Sequence, residues 1–286
     1  MNRMRLSRSK CIILWAPVLA LLLPLVSVAS ESRVSADRSV HVEYNSLGSA
    51  GKTLHIETEN GDVQCTATDA NEIIVDAHIL VHGRQIETCE QLADQVRVEV
   101  QVVGETIEVV TTKPKKFGYG YSIGYSVRLP KRLGVNAETV NGEVMVLGVE
   151  GAITVESVNG NVRAVETKGA IDASTTNGSI YLRQVAAVSI EASTVNGRVD
   201  CSCRGTAPDR MDISTVNGSV DIALPSKVDA RVTAETVNGG VQVDLGVGKA
   251  ASKSRGSVEL TIGAGNSNYE FSSVNGAISV AVARAD

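Results

Sequence analysis

The chain has 286 residues, of which 43% are hydrophobic and 21% are charged, with a formal net charge of −5. Mixed charge and a mean hydropathy near zero argue against a disordered chain and a multispanning membrane protein, and the acidic balance argues against broad nucleic-acid binding. Only 3% of the residues are aromatic while 26 are glycine, so the sequence predicts a thin core of small side chains.

The first 29 residues have the pattern of a secretory signal peptide. Four cations precede an apolar run over residues 11–29, and they are Arg3, Arg5, Arg8 and Lys10. Small residues at the end of the run predict cleavage just before Ser30 or Glu31, which would lower the net charge to −9. A retained anchor helix stays open as the alternative, because about 19 apolar residues can barely span a bilayer. Either way, the sequence predicts export to the periplasm or the cell surface.

Residues 30–134 are predicted to form a β-rich N-terminal cap. Residues 53–61 already follow the repeat pattern described below, and three further strands are predicted over 73–81, 96–103 and 106–112. Thr88 and Gln91 form a capping-box pattern, which predicts one short helix over about 88–95.

Four cysteines follow the predicted signal segment, and they are Cys65, Cys89, Cys201 and Cys203. An even number of cysteines in an exported protein suggests disulfides. Three pairings are open, of which Cys65 with Cys89 and Cys201 with Cys203 are favoured, although a bridge between positions i and i+2 is strained. Reduced cysteines in the core remain the alternative. No second Cys pair or His cluster predicts a metal site, and no cofactor is expected.

The segment 113–125 combines lysines with aromatic side chains. It could hold a glycan or an acidic polymer by stacking and charge. The candidate binding residues are Lys115, Lys116, Phe117, Tyr119, Tyr121 and Tyr125. The alternative is a hairpin loop whose tyrosines cover the cap. Residues 120–124 also match GxSxG, but every histidine precedes them and they read as a strand, so a hydrolase is not predicted.

From residue 135 to 286 the sequence is a repeat array with Asn-Gly as its most regular feature. Eight Asn-Gly pairs occur in the chain, where composition alone predicts roughly one. One is Asn60-Gly61, and the seven of the array are Asn141-Gly142, Asn159-Gly160, Asn177-Gly178, Asn196-Gly197, Asn217-Gly218, Asn238-Gly239 and Asn275-Gly276. Their spacings are 18, 18, 19, 21, 21 and 37, and the longest gap holds a degenerate copy at 255–256.

The residues around each Asn-Gly alternate with period two, as in a half-buried strand. A hydroxyl residue stands two positions before each Asn and is predicted to face inward. In the array these residues are Thr139, Ser157, Thr175, Thr194, Thr215, Thr236 and Ser273. A valine usually stands one position before the Asn, where parity predicts an outward apolar ridge unless the corner rotates it inward.

Two architectures fit this alternation. Asn-Gly is a strong hairpin signal, which would give an antiparallel meander. Matching positions and variable insertions at one edge instead favour an all-β, single-stranded parallel β-helix, or β-solenoid, with coils of roughly 18–21 residues and the N-terminal cap. In that fold each Asn-Gly is a corner, and glycine is expected to supply a positive φ. The array would then carry eight copies, including the degenerate one.

The repeats TVNG at 139–142, 194–197, 215–218 and 236–239 resemble the bacterial putative-adhesin family, a domain of unknown function built of such β-strand repeats. That family is related to auto-transporter adhesin head domains. The resemblance covers nearly all of the chain after the signal segment. It implies an exported β-helical envelope protein with adhesion proposed and no established catalytic residues.

The sequence therefore predicts a noncatalytic exported module that serves adhesion or scaffolding in the bacterial envelope. The alternatives are a glycan-directed enzyme on a β-helix and a periplasmic protein-binding regulatory module. The partner is unknown, with a glycan or an envelope protein as candidates and no nucleic acid. A membrane is expected only through the N-terminal segment, if that segment is retained.

Overall fold

The computed structural model describes residues 33–45, 51–244, 250–253 and 256–283. The predicted signal segment, residues 1–29, lies outside the described residues, so its cleavage stays a prediction. Within the described part of the chain, no helix is long and apolar enough to cross a membrane.

The described residues form 22 strands and one helix, and the prediction of an all-β chain with one short helix is confirmed. The first part contains β1 Val34–Asn45, β2 Thr53–Asn60, β3 Val63–Thr68, β4 Glu72–Gly83, α1 Ile86–Gln95, β5 Arg97–Val103, β6 Thr106–Thr112 and β7 Gly120–Pro130. The second contains β8 Gly134–Asn141, β9 Val144–Leu147, β10 Ile153–Asn159, β11 Val162–Val165, β12 Lys168–Asn177, β13 Ile180–Asn196, β14 Val199–Cys203, β15 Arg210–Asn217 and β16 Val220–Leu224. The last contains β17 Ala230–Asn238, β18 Val241–Asp244, β19 Ala250–Lys253, β20 Gly256–Ile262, β21 Ser267–Asn275 and β22 Ile278–Val282.

The helix begins two residues before its predicted start. Gln85 is the N-cap residue and makes no side-chain capping bond, and the Thr88 hydroxyl instead lies 3.3 Å from the Gln85 side-chain oxygen. The capping-box prediction was therefore wrong. Packing of the buried residues Cys89, Leu92 and Ala93, which lie on one face, fixes the helix in place of a cap.

The strands on the two sides of each Asn-Gly form two parallel ladders. Ladder 1 contains the preceding strands, in the order β2, β8, β10, β12, the second half of β13, β15, β21 and β17. Ladder 2 contains the following strands, in the order β3, β9, β11, the first half of β13, β14, β16, β22 and β18. Equivalent residues are partners, as Asn141 is with Asn159 and Val144 with Val162.

Each Asn-Gly is a corner between the two ladders. At Asn141-Gly142, β8 pairs in parallel with β2 and β10 while β9 pairs with β3 and β11, which excludes the hairpin alternative for this copy. The predicted role of glycine was wrong, because among the Asn-Gly glycines only Gly61 has a positive φ. A Cβ on Gly178 would instead lie 1.9 Å from the carbonyl oxygen of Gly160. Glycine is required there because the neighbouring backbone occupies the space of a side chain.

The last repeat unit in the sequence is not the last in the stack. We use "repeat unit" for one strand of ladder 1, its Asn-Gly corner and the following strand of ladder 2. The unit β21–β22 lies between β15–β16 and β17–β18 and pairs with both in parallel. The predicted degenerate copy at 255–256 was wrong. Gly256 begins β20, which runs antiparallel to β17, and Arg255 lies outside the described residues.

Strands of the N-terminal part extend both ladders beyond β2 and β3. On ladder 1, β6 pairs in parallel with β2 and then antiparallel with β5. On ladder 2, β7 pairs in parallel with β3, and β4 and β1 follow in antiparallel order. Helix α1 contacts β1 and β4 and buries Cys89 and Leu92. The two ladders therefore do not end in open edges at β2 and β3.

The four described cysteines are free thiols, which corrects the disulfide prediction. Cys65 occupies an inward position of β3 between Val127 and Val146 and packs as a small apolar residue. Burial raises the pKa of Cys65 to about 12. The sulfur atoms of Cys201 and Cys203 are 3.9 Å apart, against about 2.05 Å in a disulfide.

Candidate functional site

The column of hydroxyl residues before the corners joins each repeat unit to the next. The Thr175 hydroxyl donates a hydrogen bond to the Gly160 carbonyl at 2.9 Å, and Thr194 donates likewise to Gly178 at 2.9 Å. The same contact, at 2.9–3.0 Å, is made by Thr139, Ser157, Thr215, Thr236 and Ser273. All these hydroxyl residues are buried. The carbonyl that crowds the corner glycine is thus the acceptor that the hydroxyl satisfies.

The corner asparagines form a continuous file of side-chain hydrogen bonds. Seven of the eight Asn amide groups donate to the side-chain carbonyl of the Asn in an adjacent unit at 2.8–2.9 Å, whereas Asn60 donates to the Tyr121 carbonyl at 3.4 Å. In spatial order the file is Asn60, Asn141, Asn159, Asn177, Asn196, Asn217, Asn275 and Asn238. Each internal Asn both donates and accepts a hydrogen bond within the file. The first role of these exposed amides is therefore to join neighbouring units and not to bind a ligand.

Charged residues on the outer faces form ion pairs between neighbouring units. Examples are Arg163 with Glu143 at 2.8 Å and Arg198 with Asp221 at 3.3 Å. Among the described residues, no group of three or more His, Cys, Asp or Glu side chains is placed to hold a metal ion. The charges are spread along the array in pairs instead of converging on one reacting centre.

One charged cluster joins β1 to β4. Nδ1 of His41 lies 2.5 Å from Asp76 Oδ1, Nε2 lies 3.1 Å from Glu43 Oε1, and Arg128 lies 3.6 Å from Asp76. Hydrogen bonds to Asp76 and then to Glu43 raise the pKa of His41 above its usual value. This cluster therefore joins the outer strand β1 to β4 in a pH-dependent way.

The structure divides the predicted aromatic and basic segment into buried and protruding parts. Tyr125 is buried, with its hydroxyl 2.5 Å from the Thr111 hydroxyl, and burial raises its pKa. Tyr121 is partly buried and donates to the Pro114 carbonyl at 2.7 Å. Phe117 is fully exposed. The six candidate residues therefore do not form one binding platform.

The rings of Tyr119 and Tyr121 are covered by neighbouring groups. A Cβ on Gly83 would lie 2.1 Å from the Tyr119 ring, so that ring rests directly on the backbone at the end of β4. The Lys116 ammonium lies 5.2 Å from the Tyr119 ring centre, and the Lys113 ammonium lies 5.8 Å from the Tyr121 ring centre. These contacts occupy ring faces that a sugar would need for stacking.

The valines before the corners face outward and line a groove along ladder 1. In the described structure Val140, Val158, Val195, Val216, Val237 and Val274 are 40–65% exposed. A cavity of about 380 Å³ lies between this column and a parallel column that contains Glu57, Glu138 and Glu156. The sequence left the direction of the valines open, and it did not predict the groove because side chains of several stacked strands form it together.

Sequence reasoning also missed the residues that lie beside the protruding loop. Arg33, His82, Gly83 and Tyr119 line a cavity of about 560 Å³. Nothing in the local sequence relates Arg33 to Tyr119, because β1 reaches this end of the molecule only through antiparallel pairing with β4. The Gly83 contact with Tyr119 has no sequence signal either.

Comparison with known protein families gives one match. The family model described as Toastrack DUF4097 matches residues 132–281, which is just over half of the chain. No curated protein matches the sequence.

The search of solved structures matches bacterial proteins of low sequence identity. A putative cell adhesion protein from Clostridium sporogenes has 11% identity and a TM-score of 0.39, covering 87% of this chain and 100% of that one. A putative adhesin from Bacteroides fragilis has 13% identity and a TM-score of 0.36, covering 86% and 97%. A putative lipid binding protein from Parabacteroides distasonis has 14% identity and a TM-score of 0.38, covering 87% and 97%.

Proposed function

Because the chain belongs to the Toastrack DUF4097 family, we propose that it is a noncatalytic, exported, adhesin-like or scaffolding module of the bacterial envelope. Residues 1–29 are the signal peptide, residues 30–134 form the N-terminal cap, and residues 135–286 form a parallel β-solenoid whose coils are the repeat units. The observation that carries the proposal is the use of the repeated residues. The hydroxyl, Asn and Gly columns are engaged in contacts between units, so the repetition specifies a rigid elongated surface.

A rigid stack suits adhesion or scaffolding because it presents one surface repeatedly along its length. Adjacent strands of a ladder lie about 4.8 Å apart, so equivalent side chains recur at that interval along the surface. Because the stack is already ordered, binding requires no further loss of conformational entropy to align them. Along the array, charged groups on the outer faces pair between neighbouring units instead of converging on one centre. Both points favour binding over catalysis.

The protein-binding alternative is favoured by the valine column. Outward valines in register form an apolar strip beside a groove, and such strips are common at protein interfaces. The double variant Val158→Ser and Val195→Ser would interrupt this strip while leaving both strands paired. Val188→Ser is the matched control, since Val188 is 59% exposed and lies outside the column.

Two measurements test the proposed function. Fractionation of cells that express the tagged protein, with N-terminal sequencing, should find it outside the cytoplasm and beginning at Ser30 or Glu31. Glycan arrays and cross-linking to isolated envelopes should then detect binding by the folded protein. A cytoplasmic location would refute export. Loss of envelope cross-links in the valine double variant but not in the control would assign the partner to the protein-binding alternative.

A further inference from the structure

The loop between β6 and β7 ends in a well-defined turn that holds an apolar ring in solvent. The Tyr119 backbone N–H donates to the Lys116 carbonyl at 3.2 Å, and Gly118 has a φ of 84°. This geometry is that of a type II β-turn with Phe117 at its second position. The Tyr119 ring seats one side of the turn on Gly83. The exposed position of Phe117 is therefore built into the loop.

A fully exposed phenylalanine lacks the stabilisation that burial of its ring would provide. A phenylalanine held in this position at a loop tip therefore indicates an interaction surface. The neighbouring Tyr119 and Tyr121 rings already carry lysine ammonium groups on their faces. Phe117 is thus the free apolar group of this loop. It protrudes instead of lining a concave platform, so it fits a soft apolar medium better than the face of a sugar.

The charge around Phe117 is positive although the chain as a whole is acidic. Lys115 and Lys116 are exposed beside it, and Arg33 lines the cavity on the other side of Gly118 and Tyr119. The described residues that line this cavity include no acidic side chain. Cations around an apolar tip are complementary to a surface with anionic groups above an apolar layer.

We propose that the Lys116–Tyr119 turn docks on the surface of an anionic bilayer. Phe117 enters the interface, and Lys115, Lys116 and Arg33 meet lipid phosphates. This deepens the proposed function by naming the surface on which the module rests, and it assigns the contact to a residue other than the tyrosines that stacking would use. Aromatic rings favour this interfacial depth, and basic side chains remain at the headgroups.

The test uses the full chain with a single tryptophan at the tip. Trp15 is the one tryptophan of the sequence, so Trp15→Phe combined with Phe117→Trp makes emission specific for the turn. The matched control is Trp15→Phe with Val103→Trp. Val103 is 56% exposed and pairs with Thr106, at the opposite end of β6 from the loop, roughly 20 Å away.

Both proteins are combined with vesicles of phosphatidylcholine alone or with phosphatidylglycerol added, and brominated acyl chains serve as quenchers. The expected result is blue-shifted, quenched emission from the tip variant on anionic vesicles and little change in the control. Replacing Lys115 and Lys116 by Gln should weaken the docking by about fivefold per lysine. Far-UV circular dichroism checks that each variant is folded.

Three results would overturn the docking. The first is quenching of the tip tryptophan no greater than that of the control, and the second is equal quenching on neutral and anionic vesicles. The third is an emission shift with soluble polyphosphate but no quenching by brominated lipid, which would assign the loop to an anionic polymer. Failure here with envelope binding retained would remove only the tip contact, whereas a cytoplasmic location would remove the proposed function itself.

Discussion

Substitution of one corner glycine tests whether close approach of the backbone is what the repeat requires. In Gly178→Ala the new Cβ would lie 1.9 Å from the Gly160 oxygen, although real contacts of this kind are essentially never under 3.0 Å. The two units must therefore separate locally by about 1 Å or more. The φ at Gly178 is not positive, so alanine has no backbone penalty there that would confuse the result.

The expected loss has two physical sources. Forcing an extra methyl group into a packed site costs typically about 1–3 kcal/mol. Displacing the Gly160 carbonyl also weakens its 2.9 Å bond from the buried Thr175 hydroxyl, and a buried group left unsatisfied costs about 1–3 kcal/mol. We expect Gly178→Ala to lower the free energy of unfolding by about 2–5 kcal/mol. Thr175→Val, which removes only the donor, should cost about 1–2 kcal/mol.

Urea denaturation followed by circular dichroism measures these differences, with both midpoint and slope compared because repeat arrays can unfold in steps. Gly120→Ala is the matched control. Gly120 begins β7 and, like Gly178, has no positive φ, but a Cβ there would meet no atom within 4 Å. Its effect should stay within about 1 kcal/mol. Equal midpoints for the two alanine variants would refute the close-approach explanation.

Three further predictions concern the Asn file, the intercalated unit and the His41 cluster. Asn177→Ala removes two side-chain hydrogen bonds and should lower the free energy of unfolding, measured by urea denaturation, by about 1–2 kcal/mol. Asn238, at the end of the file, makes one such bond, so Asn238→Ala should cost about half as much. Equal losses would contradict additive contributions along the file. Phe271→Ala should lower the free energy of unfolding by about 3–5 kcal/mol, because this ring is 1% exposed and lies in the unit between two others. Amide hydrogen exchange should become faster in both β15 and β17. Faster exchange confined to β21 would contradict the intercalated order. The raised pKa of His41 means that its stabilisation of β1 is complete below about pH 6.5 and is lost as pH rises through the higher folded-state pKa. Intrinsic-rate-corrected exchange of β1 amides should therefore be faster at pH 8 than at pH 6, and His41→Gln should abolish that difference; a difference that persists in the variant would assign it to another group.

The sequence alone predicted the local features because they depend on near neighbours in the chain. Period-two alternation set the faces of the strands, and in-register repetition placed matching residues, such as Asn141 and Asn159, as candidates for direct contact. The strands over 73–81 and 106–112 were predictable from β-branched residues between turn signals. The helix was located, but its start was not, because packing of its apolar face determined where it begins.

Tertiary structure alone decided the features that depend on distant parts of the chain. The sequence gives no reason for β21–β22 to lie between β15–β16 and β17–β18, since any unit with the same columns offers the same hydrogen-bonding edge. The reason for the corner glycines was not predictable either, because the carbonyl oxygen that excludes a side chain belongs to another unit. Likewise, the neighbourhood of Phe117 joins three segments far apart in sequence, namely Arg33, His82–Gly83 and Gly118–Gly120. Repetition specifies which residues can be partners, whereas the choice among equivalent partners is made by the free energy of the whole stack.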